Sequence, residues 1–274
     1  MTVPHCSVIS HTTPSGGSLT WLEAGDPDAP ALVLLHGIGS DALLWQKQIA
    51  AFAPHRHVLA WNAPGYAESS PLSDDVFPGD AGIWADQLAQ GLDAFGVDRC
   101  VMVGHSLGAI TAARFAATSP ERVSTLVISS PARGYGQERG ADLLPALQAR
   151  IDDIRQFGSA GMAARRAPRT LTPQASQEML AEAEAAMARV SVEGYCDAVH
   201  LLACGRLVED LARWTGPLHL IGAEEDIIVP LKIVQQLATA FPQARLHVIK
   251  DAGHASYLQA PEQFQAALAD ALSA

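Results

Sequence analysis

The sequence has little positive charge. Its 274 residues include 18 lysines and arginines against 29 aspartates and glutamates, a formal net charge of −11. Proteins that bind nucleic acid need clustered Lys and Arg to contact the phosphates, and no basic stripe is present. The composition therefore predicts no nucleic-acid partner.

Long apolar runs and paired cysteines are also missing. No window approaches 18 uninterrupted apolar residues, and the N-terminus lacks a basic segment followed by an apolar run, so we expect a soluble, cytoplasmic protein with no membrane association. Four scattered cysteines without CxxC spacing argue against a disulfide framework or a zinc site. They are Cys6, Cys100, Cys196 and Cys204.

Strand-like and helix-like segments alternate along much of the chain. Short apolar runs between turn residues are typical of buried strands; they are Leu32–His36, His57–Trp61, Cys100–Gly104, Ser124–Ser130, Leu218–Gly222 and Arg245–Lys250. The helix-like stretches between and after them are Ala42–Phe52, Gly82–Phe95, Leu107–Thr118, Pro230–Phe241 and Pro261–Leu272. The alternation predicts an α/β fold with a mainly parallel sheet flanked by helices. Ser7–His11 and Ser18–Glu23 are expected to form a leading hairpin that turns at residues 15–17.

The alternation stops between residues 132 and 215, here called the cap segment. It has no strand-like run, and Gln174–Val190 has helical character throughout. Ten of the fifteen arginines and no lysine lie in it. We expect a helical cap inserted into a core domain of residues 1–131 and 216–274.

The strongest chemical signal is the sequence Gly104-His105-Ser106-Leu107-Gly108, which lies between a predicted strand and a predicted helix. A serine at such a sharp turn exposes its hydroxyl as a nucleophile, and flanking glycines permit the turn. The N–H of Leu107 at the helix N-terminus is suited to bind an oxyanion. Ser106 is therefore the predicted nucleophile, while His105 is expected to be structural.

A second oxyanion donor is expected from another loop. His36-Gly37-Ile38-Gly39 follows a predicted strand, and the N–H of Ile38 is the candidate donor, with Gly37 allowing close approach of a substrate.

The acid and the base are expected after the last two strands. Asp226 is the preferred acid because Ile-Ile-Val-Pro follows it, and the adjacent Glu225 is the alternative. His254 follows the last predicted strand on a loop that contains Gly253. An imidazole titrates near neutral pH, so it can accept the serine proton and return it. The order Ser, Asp, His along the chain predicts a catalytic triad.

These motifs resemble those of the α/β-hydrolases. Residues 61–69 are also similar to the family's D-x-P-G-x-G-x-S loop, with Asn62 in place of Asp and Ala67 in place of Gly. The resemblance covers residues 19–132 and 216–274. A serine at position 106 excludes the dehalogenases and epoxide hydrolases that use aspartate there. Within the family the chain is most similar to enol-lactonases, small carboxylesterases and carbon–carbon hydrolases.

The resemblance implies a serine hydrolase that cleaves a small-molecule ester or lactone through an acyl-enzyme, without metal or organic cofactor, as a monomer or homodimer. A carbon–carbon hydrolase of a diketone uses the same triad and stays open, as does a non-catalytic ligand-binding protein. A perhydrolase or lyase on the same triad also stays open.

Substrate-binding residues are less defined by the sequence. Trp45, Trp84, Met102 and Tyr135 are candidates to line an acyl pocket, and core packing is the expected role of at least Trp84 and Met102. Arg165 and Arg166 of the cap segment, with Arg169 and Arg133, are candidates to hold a substrate carboxylate. The alternative is that these arginines are solvated on a helix face.

Overall fold

The central element is an eight-stranded sheet. The computed structural model describes residues 6–12 and 17–273. In these residues the strands are β1 (Ser7–Thr12), β2 (Ser18–Ala24), β3 (Ala31–Leu35), β4 (His57–Trp61), β5 (Cys100–His105), β6 (Val123–Ser129), β7 (Leu218–Ala223) and β8 (Arg245–Ile249). Their order is β1-β2-β4-β3-β5-β6-β7-β8. The pairs β1–β2 and β2–β4 are antiparallel, and the others are parallel. The predicted α/β fold with a mainly parallel sheet is confirmed.

Helices connect the strands and fill the cap segment. They are α1 (Gln46–Phe52), α2 (Ala81–Ala94), α3 (Gly108–Thr118), α4 (Pro145–Arg166), α5 (Gln177–Ala188), α6 (Val192–Cys204), α7 (Leu207–Leu211), α8 (Leu231–Ala240), α9 (Ser256–Gln259) and α10 (Pro261–Leu272). The stretch predicted as one helix from Ala42 begins with a 3₁₀ turn, Ala42–Trp45, which the Asp41 side chain caps. Within the part of the chain that the structure describes, no helix is long and apolar enough to cross a membrane.

The leading hairpin forms as predicted. β1 and β2 pair from Ser7 with Glu23 to Thr12 with Ser18. Of the three residues predicted for the turn, Ser15 and Gly16 lie outside the described residues.

The middle of the sheet is buried on both faces. Every residue of β3, β4 and β5 is buried, as the continuous apolar runs predict for parallel strands covered by helices. Cys100, the first residue of β5, is also buried. Helix α3 is also mostly buried, and its small residues let it pack closely on the sheet. This rigid centre carries Ser106 at the junction of β5 and α3.

The cap segment is helical in the described structure. It holds α4 to α7 between β6 and β7, and the long helix α4 is interrupted at Gly158, whose φ is 65°. A buried carboxylate joins helix α6 of this segment to the rest of the molecule. The carboxylate of Asp197 in α6 accepts hydrogen bonds from the Gly79 amide (2.7 Å) and the Trp84 indole N–H (2.9 Å).

Asp197 is expected to make the stability depend on pH. Burial raises the pKa of Asp197 to about 6 despite these two hydrogen bonds. The unfolded chain releases this proton near pH 4, so between about pH 4 and 6 the folded state binds more protons than the unfolded state. The contribution of Asp197 to the free energy of unfolding therefore falls as the pH rises through that range, by on the order of 2–3 kcal/mol.

Urea unfolding of wild type and Asp197→Asn at several pH values measures this contribution. The stability of the variant relative to wild type should rise from pH 4 to pH 6 and then level off. A relative stability that stays constant or falls over this range would contradict the assignment.

Candidate active site

Ser106 lies at a strained turn between β5 and α3. Its φ is 52°, in the left-handed region that non-glycine residues rarely adopt. The Ser106 N–H donates to the carbonyl of Ser129 in the neighbouring strand β6 at 2.9 Å, and its carbonyl accepts from the Ala132 amide at 3.0 Å. The sheet thus holds the backbone in a conformation that costs about 1–3 kcal/mol in isolation.

Gly108 permits this turn because the backbone around it leaves no room for a side chain. A Cβ atom at Gly108 would lie 2.6 Å from the carbonyl oxygens of Leu35 and His36. The start of α3 can therefore approach the end of β3 only without a side chain at this position.

Asp226 and His254 form a buried hydrogen-bonded pair. The distance from His254 Nδ1 to Asp226 Oδ2 is 2.8 Å. Asp226 Oδ1 accepts the amides of Ile228 and Val229, both at 2.8 Å. Burial acts to raise the pKa of Asp226, but the hydrogen bonds from His254 and the two amides outweigh it, so this pKa lies below its usual value. Asp226 is therefore an anion that holds the proton of His254 on Nδ1 and leaves Nε2 as an acceptor.

The neighbouring carboxylates have different surroundings. Glu224 and Glu225 are exposed, whereas Asp226 is 4% exposed. Of the two acids weighed from the sequence, Asp226 is the one that contacts His254.

Ser106 and His254 face one cavity of about 520 Å³. Among the described residues no hydrogen bond joins Ser106 Oγ to His254; such contacts are often long in ligand-free structures and shorten with substrate. The ring of His105 packs against His254 with centroids 4.7 Å apart. Burial, followed by the proximity of His254 and His36, lowers the pKa of His105 well below its usual value. His105 is therefore a neutral packing residue.

Two backbone amides beside Ser106 are available to a ligand. Ile38 and Leu107 both line the cavity, and neither N–H donates to any described residue. Gly37 lies directly against the serine, since a Cβ atom there would be 2.8 Å from Ser106 Cβ. An oxyanion formed at Ser106 would meet two amide donors from different loops.

His36 fixes the loop that carries Ile38. Its Nδ1–H donates to the Gly37 carbonyl at 2.9 Å, and its Nε2 accepts the Ala63 amide at 3.0 Å. Burial lowers the pKa of His36 to about 4, so the ring is neutral and can make both bonds. This role of His36 was not predicted from the sequence, although the adjacent His36-Gly37 pair was a usable signal.

An ion pair between a buried carboxylate and an exposed guanidinium joins the same loop region to the cap segment. Asp41, which is 1% exposed, accepts from Arg189 Nε at 2.7 Å and Nη2 at 2.6 Å. Removal of Arg189 would leave the charge of Asp41 buried without its partner. Arg189 therefore ties α5 to the loop after β3.

The cavity is basic on its cap side. Four arginines and no acidic residue occur among its lining residues. The arginines are Arg133, Arg150, Arg166 and Arg169. Arg166 pairs with Asp153 at 3.1 Å, whereas the other three side chains form no hydrogen bond or ion pair within the described ranges. Arg150 was not predicted to bind substrate, because it lies outside the cluster of arginines at residues 165–169.

The remaining candidates divide into two groups. Tyr135 and Arg166 line the cavity. Trp45 does not, because it is fully buried and stacks on Tyr257 with centroids 4.3 Å apart. Arg165 also lies outside the lining; its guanidinium is 3.5 Å from the Phe157 ring centroid and pairs with Asp153. These two residues thus have packing and surface contacts in place of the predicted substrate contacts.

The profile of the alpha/beta hydrolase family matches residues 32–267. The chain belongs to this family. The RutD protein of Pseudomonas savastanoi, which carries a carbamate hydrolase name, is 31% identical over 90% of this chain and 95% of its own length. The 3-oxoadipate enol-lactonase 2 of Acinetobacter baylyi is 26% identical over 92% and 91%. The crystal structure of the enol-lactonase from Burkholderia xenovorans LB400 superposes with a TM-score of 0.85 at 22% identity, covering 97% of this chain and 100% of that one.

In this alpha/beta hydrolase the loop after β4 departs from the family pattern at two positions, Asn62 and Ala67. The buried Asn62 accepts the Ala42 amide at 2.9 Å and donates to Thr20 Oγ1 at 3.0 Å. Ala67 has a φ of 48°, the left-handed region that glycine adopts without strain. Ala67 therefore has a backbone conformation that suits glycine, and its side chain adds strain to the loop at this position.

Proposed function

We propose that this protein is a serine hydrolase of small carboxylic esters or lactones. The observation that carries the proposal is the convergence of Ser106, the His254–Asp226 pair and two unpaired amides on one cavity. His254 has the carboxylate partner that acyl transfer requires, and in the described structure the two amides are open to an oxyanion. We also propose that residues 132–215 act as a cap on a core of residues 1–131 and 216–274, since residues of this segment line the same cavity as Ser106.

The mechanism follows from the positions of these groups. Ser106 Oγ attacks the carbonyl carbon while His254 Nε2 takes the serine proton. The amides of Ile38 and Leu107 bind the oxyanion, and Asp226 stabilises the imidazolium. The bond to the leaving oxygen breaks as His254 returns the proton to it. Water, activated by His254, then releases the acid from the acyl-enzyme.

Turnover of p-nitrophenyl acetate tests this reaction class. The wild type should release p-nitrophenol and form an acyl-enzyme that rapid-quench mass spectrometry detects on the intact protein. A lactone should also be opened. Absence of turnover and of an acyl adduct would contradict the proposal.

Carbamate hydrolysis is a second candidate. It is favoured by the relative at 31% identity whose name carries that activity, and the same acyl chemistry applies to a carbamate carbonyl. Carbamates therefore belong in the first substrate panel, where a higher kcat/KM than for esters would favour this reading.

We further propose that the substrate carries a carboxylate. Arg150 and Arg169 face the cavity without acidic partners in the described structure, in a chain with a net charge of −11. Hydrogen bonds from a guanidinium to a carboxylate are stronger than neutral ones and fix its orientation.

Substitution of these arginines should weaken binding of anionic esters selectively. Arg150→Gln and Arg169→Gln are expected to raise KM for mono-p-nitrophenyl glutarate about tenfold and to leave KM for p-nitrophenyl butyrate nearly unchanged. Arg165→Gln is the matched control, because Arg165 lies on the same cap segment outside the cavity lining. Equal changes for both esters, or none for either, would remove the carboxylate from the proposal.

A further inference from the structure

Two histidines and an aspartate converge at the far edge of the sheet, away from the predicted triad. His219 is in β7, His247 is in the edge strand β8, and Asp270 is in α10. His219 Nδ1 lies 3.1 Å from His247 Nε2. Asp270 Oδ2 lies 3.9 Å from the former atom and 3.6 Å from the latter. Three side chains that are distant in sequence thus present ligand atoms to one point.

The distances match the size of a metal ion. A triangle with sides of 3.1, 3.6 and 3.9 Å has a circumradius of about 2.1 Å, so one point in its plane lies about 2.1 Å from all three atoms. This is the bond length of Zn²⁺ to imidazole nitrogen and carboxylate oxygen, about 2.0–2.2 Å. In tetrahedral zinc sites with such bonds the ligand atoms are about 3.4 Å apart, close to the separations here.

We propose that His219, His247 and Asp270 bind a divalent transition-metal ion, with Zn²⁺ as the best fit. Two neutral imidazoles and one carboxylate form a ligand set that binds zinc in preference to magnesium or calcium. Asp270 is partly exposed, so water can complete the coordination from the solvent side.

Arg245 competes with such an ion for the carboxylate of Asp270. Its Nη1 lies 2.7 Å from both oxygens of Asp270. The Arg245 side chain is 62% exposed, and ion pairs in such positions contribute little to stability. The guanidinium can therefore turn into solvent and release the carboxylate to a cation.

The position of the site indicates a structural role. β7 and β8 precede Asp226 and His254, while His219 is only the second residue of β7 and lies near its opposite end. An ion here would join the last two strands to the last helix and hold the two strands that precede the acid and the base. It would not contact a substrate in the cavity at Ser106.

No metal site was predicted from the sequence. His219 and His247 are 28 residues apart, without the short spacing by which metal ligands are recognised in a sequence. Parallel strand pairing brings them together, because His247 pairs with Ile221, two residues beyond His219 and on the same face of the sheet.

Calorimetric titration of chelator-treated protein with ZnCl₂ tests the proposal directly. One Zn²⁺ should bind per chain, and the melting temperature should rise by about 5 °C at a zinc concentration 100 times the Kd. His247→Gln and Asp270→Asn should each weaken binding at least about tenfold. The exposed His55 provides the control, since His55→Gln should bind as the wild type does.

Arg245→Gln separates this site from chance binding to surface histidines. Removal of the competing guanidinium should tighten zinc binding at this site. Zinc bound by chance to other surface histidines would bind the wild type and Arg245→Gln with equal affinity. No binding of one ion per chain would overturn the proposal. Unchanged affinity in both His247→Gln and Asp270→Asn would do the same, as would unchanged or weaker binding in Arg245→Gln. Each of these readouts is independent of ester hydrolysis, so the proposed activity and the metal site can fail separately.

Discussion

Ser106→Ala should lower kcat for ester hydrolysis by about 10⁶-fold, because removal of the nucleophile abolishes the acyl-enzyme route. The methyl side chain of alanine fits the same strained turn, since the backbone of Ser106 is held by its bonds to Ser129 and Ala132. The fold should therefore be retained, and KM should change much less than kcat. Steady-state kinetics with p-nitrophenyl acetate measure the loss.

Ser256→Ala is the matched control for this experiment. Ser256 is fully buried two residues after His254, and its hydroxyl is without a hydrogen-bond partner in the described structure. Its substitution removes the same atom close to the site and should leave kcat within about a factor of two. A Ser106→Ala variant that retains a large part of the activity would mean that another residue is the nucleophile.

Asp226→Asn should lower kcat by about 10⁴-fold although it changes few atoms. The amides of Ile228 and Val229 require an oxygen acceptor, so the asparagine must place its carbonyl there and its NH₂ group opposite His254. This NH₂ group donates to Nδ1, and the imidazole proton moves to Nε2. The ring then has no free nitrogen with which to accept the serine proton.

The adjacent glutamate provides the control for this substitution. Glu225→Gln removes the same charge one residue away, at an exposed position, and should leave kcat nearly unchanged. The opposite ranking, with Glu225→Gln as the more damaging variant, would assign the acid to Glu225. Equal and small effects would show that no acid supports His254.

Much of this fold could be predicted because its strands are uniformly apolar and end in turn residues. The predicted runs at Leu32, His57 and Leu218 coincide with β3, β4 and β7 to within one residue. The site follows from the same logic, since Ser106, Asp226 and His254 each come after the C-terminal end of a parallel strand, where such sheets bind ligands. Local sequence was sufficient to predict a site residue that lies on the loop directly after a strand.

Features that depend on tertiary packing could not be predicted in this way. The sequence does not tell that Arg150 faces the cavity while Arg165 stacks on Phe157, because both lie on one long helix with a break at Gly158. Trp45 follows the loop of Ile38 along the chain but packs into the core against Tyr257. The His219–His247 pair requires knowledge of which strands are neighbours.

The central claim is that Ser106 is a nucleophile activated by His254, and covalent labelling tests it most directly. Wild-type protein treated with a fluorophosphonate should gain one adduct per chain, and peptide mapping should place it on Ser106. Ser256→Ala should label equally, and Ser106→Ala should not label. Loss of ester hydrolysis should follow the extent of labelling. A protein that hydrolyses esters without labelling at Ser106, or that labels at another residue as activity is lost, would contradict the account.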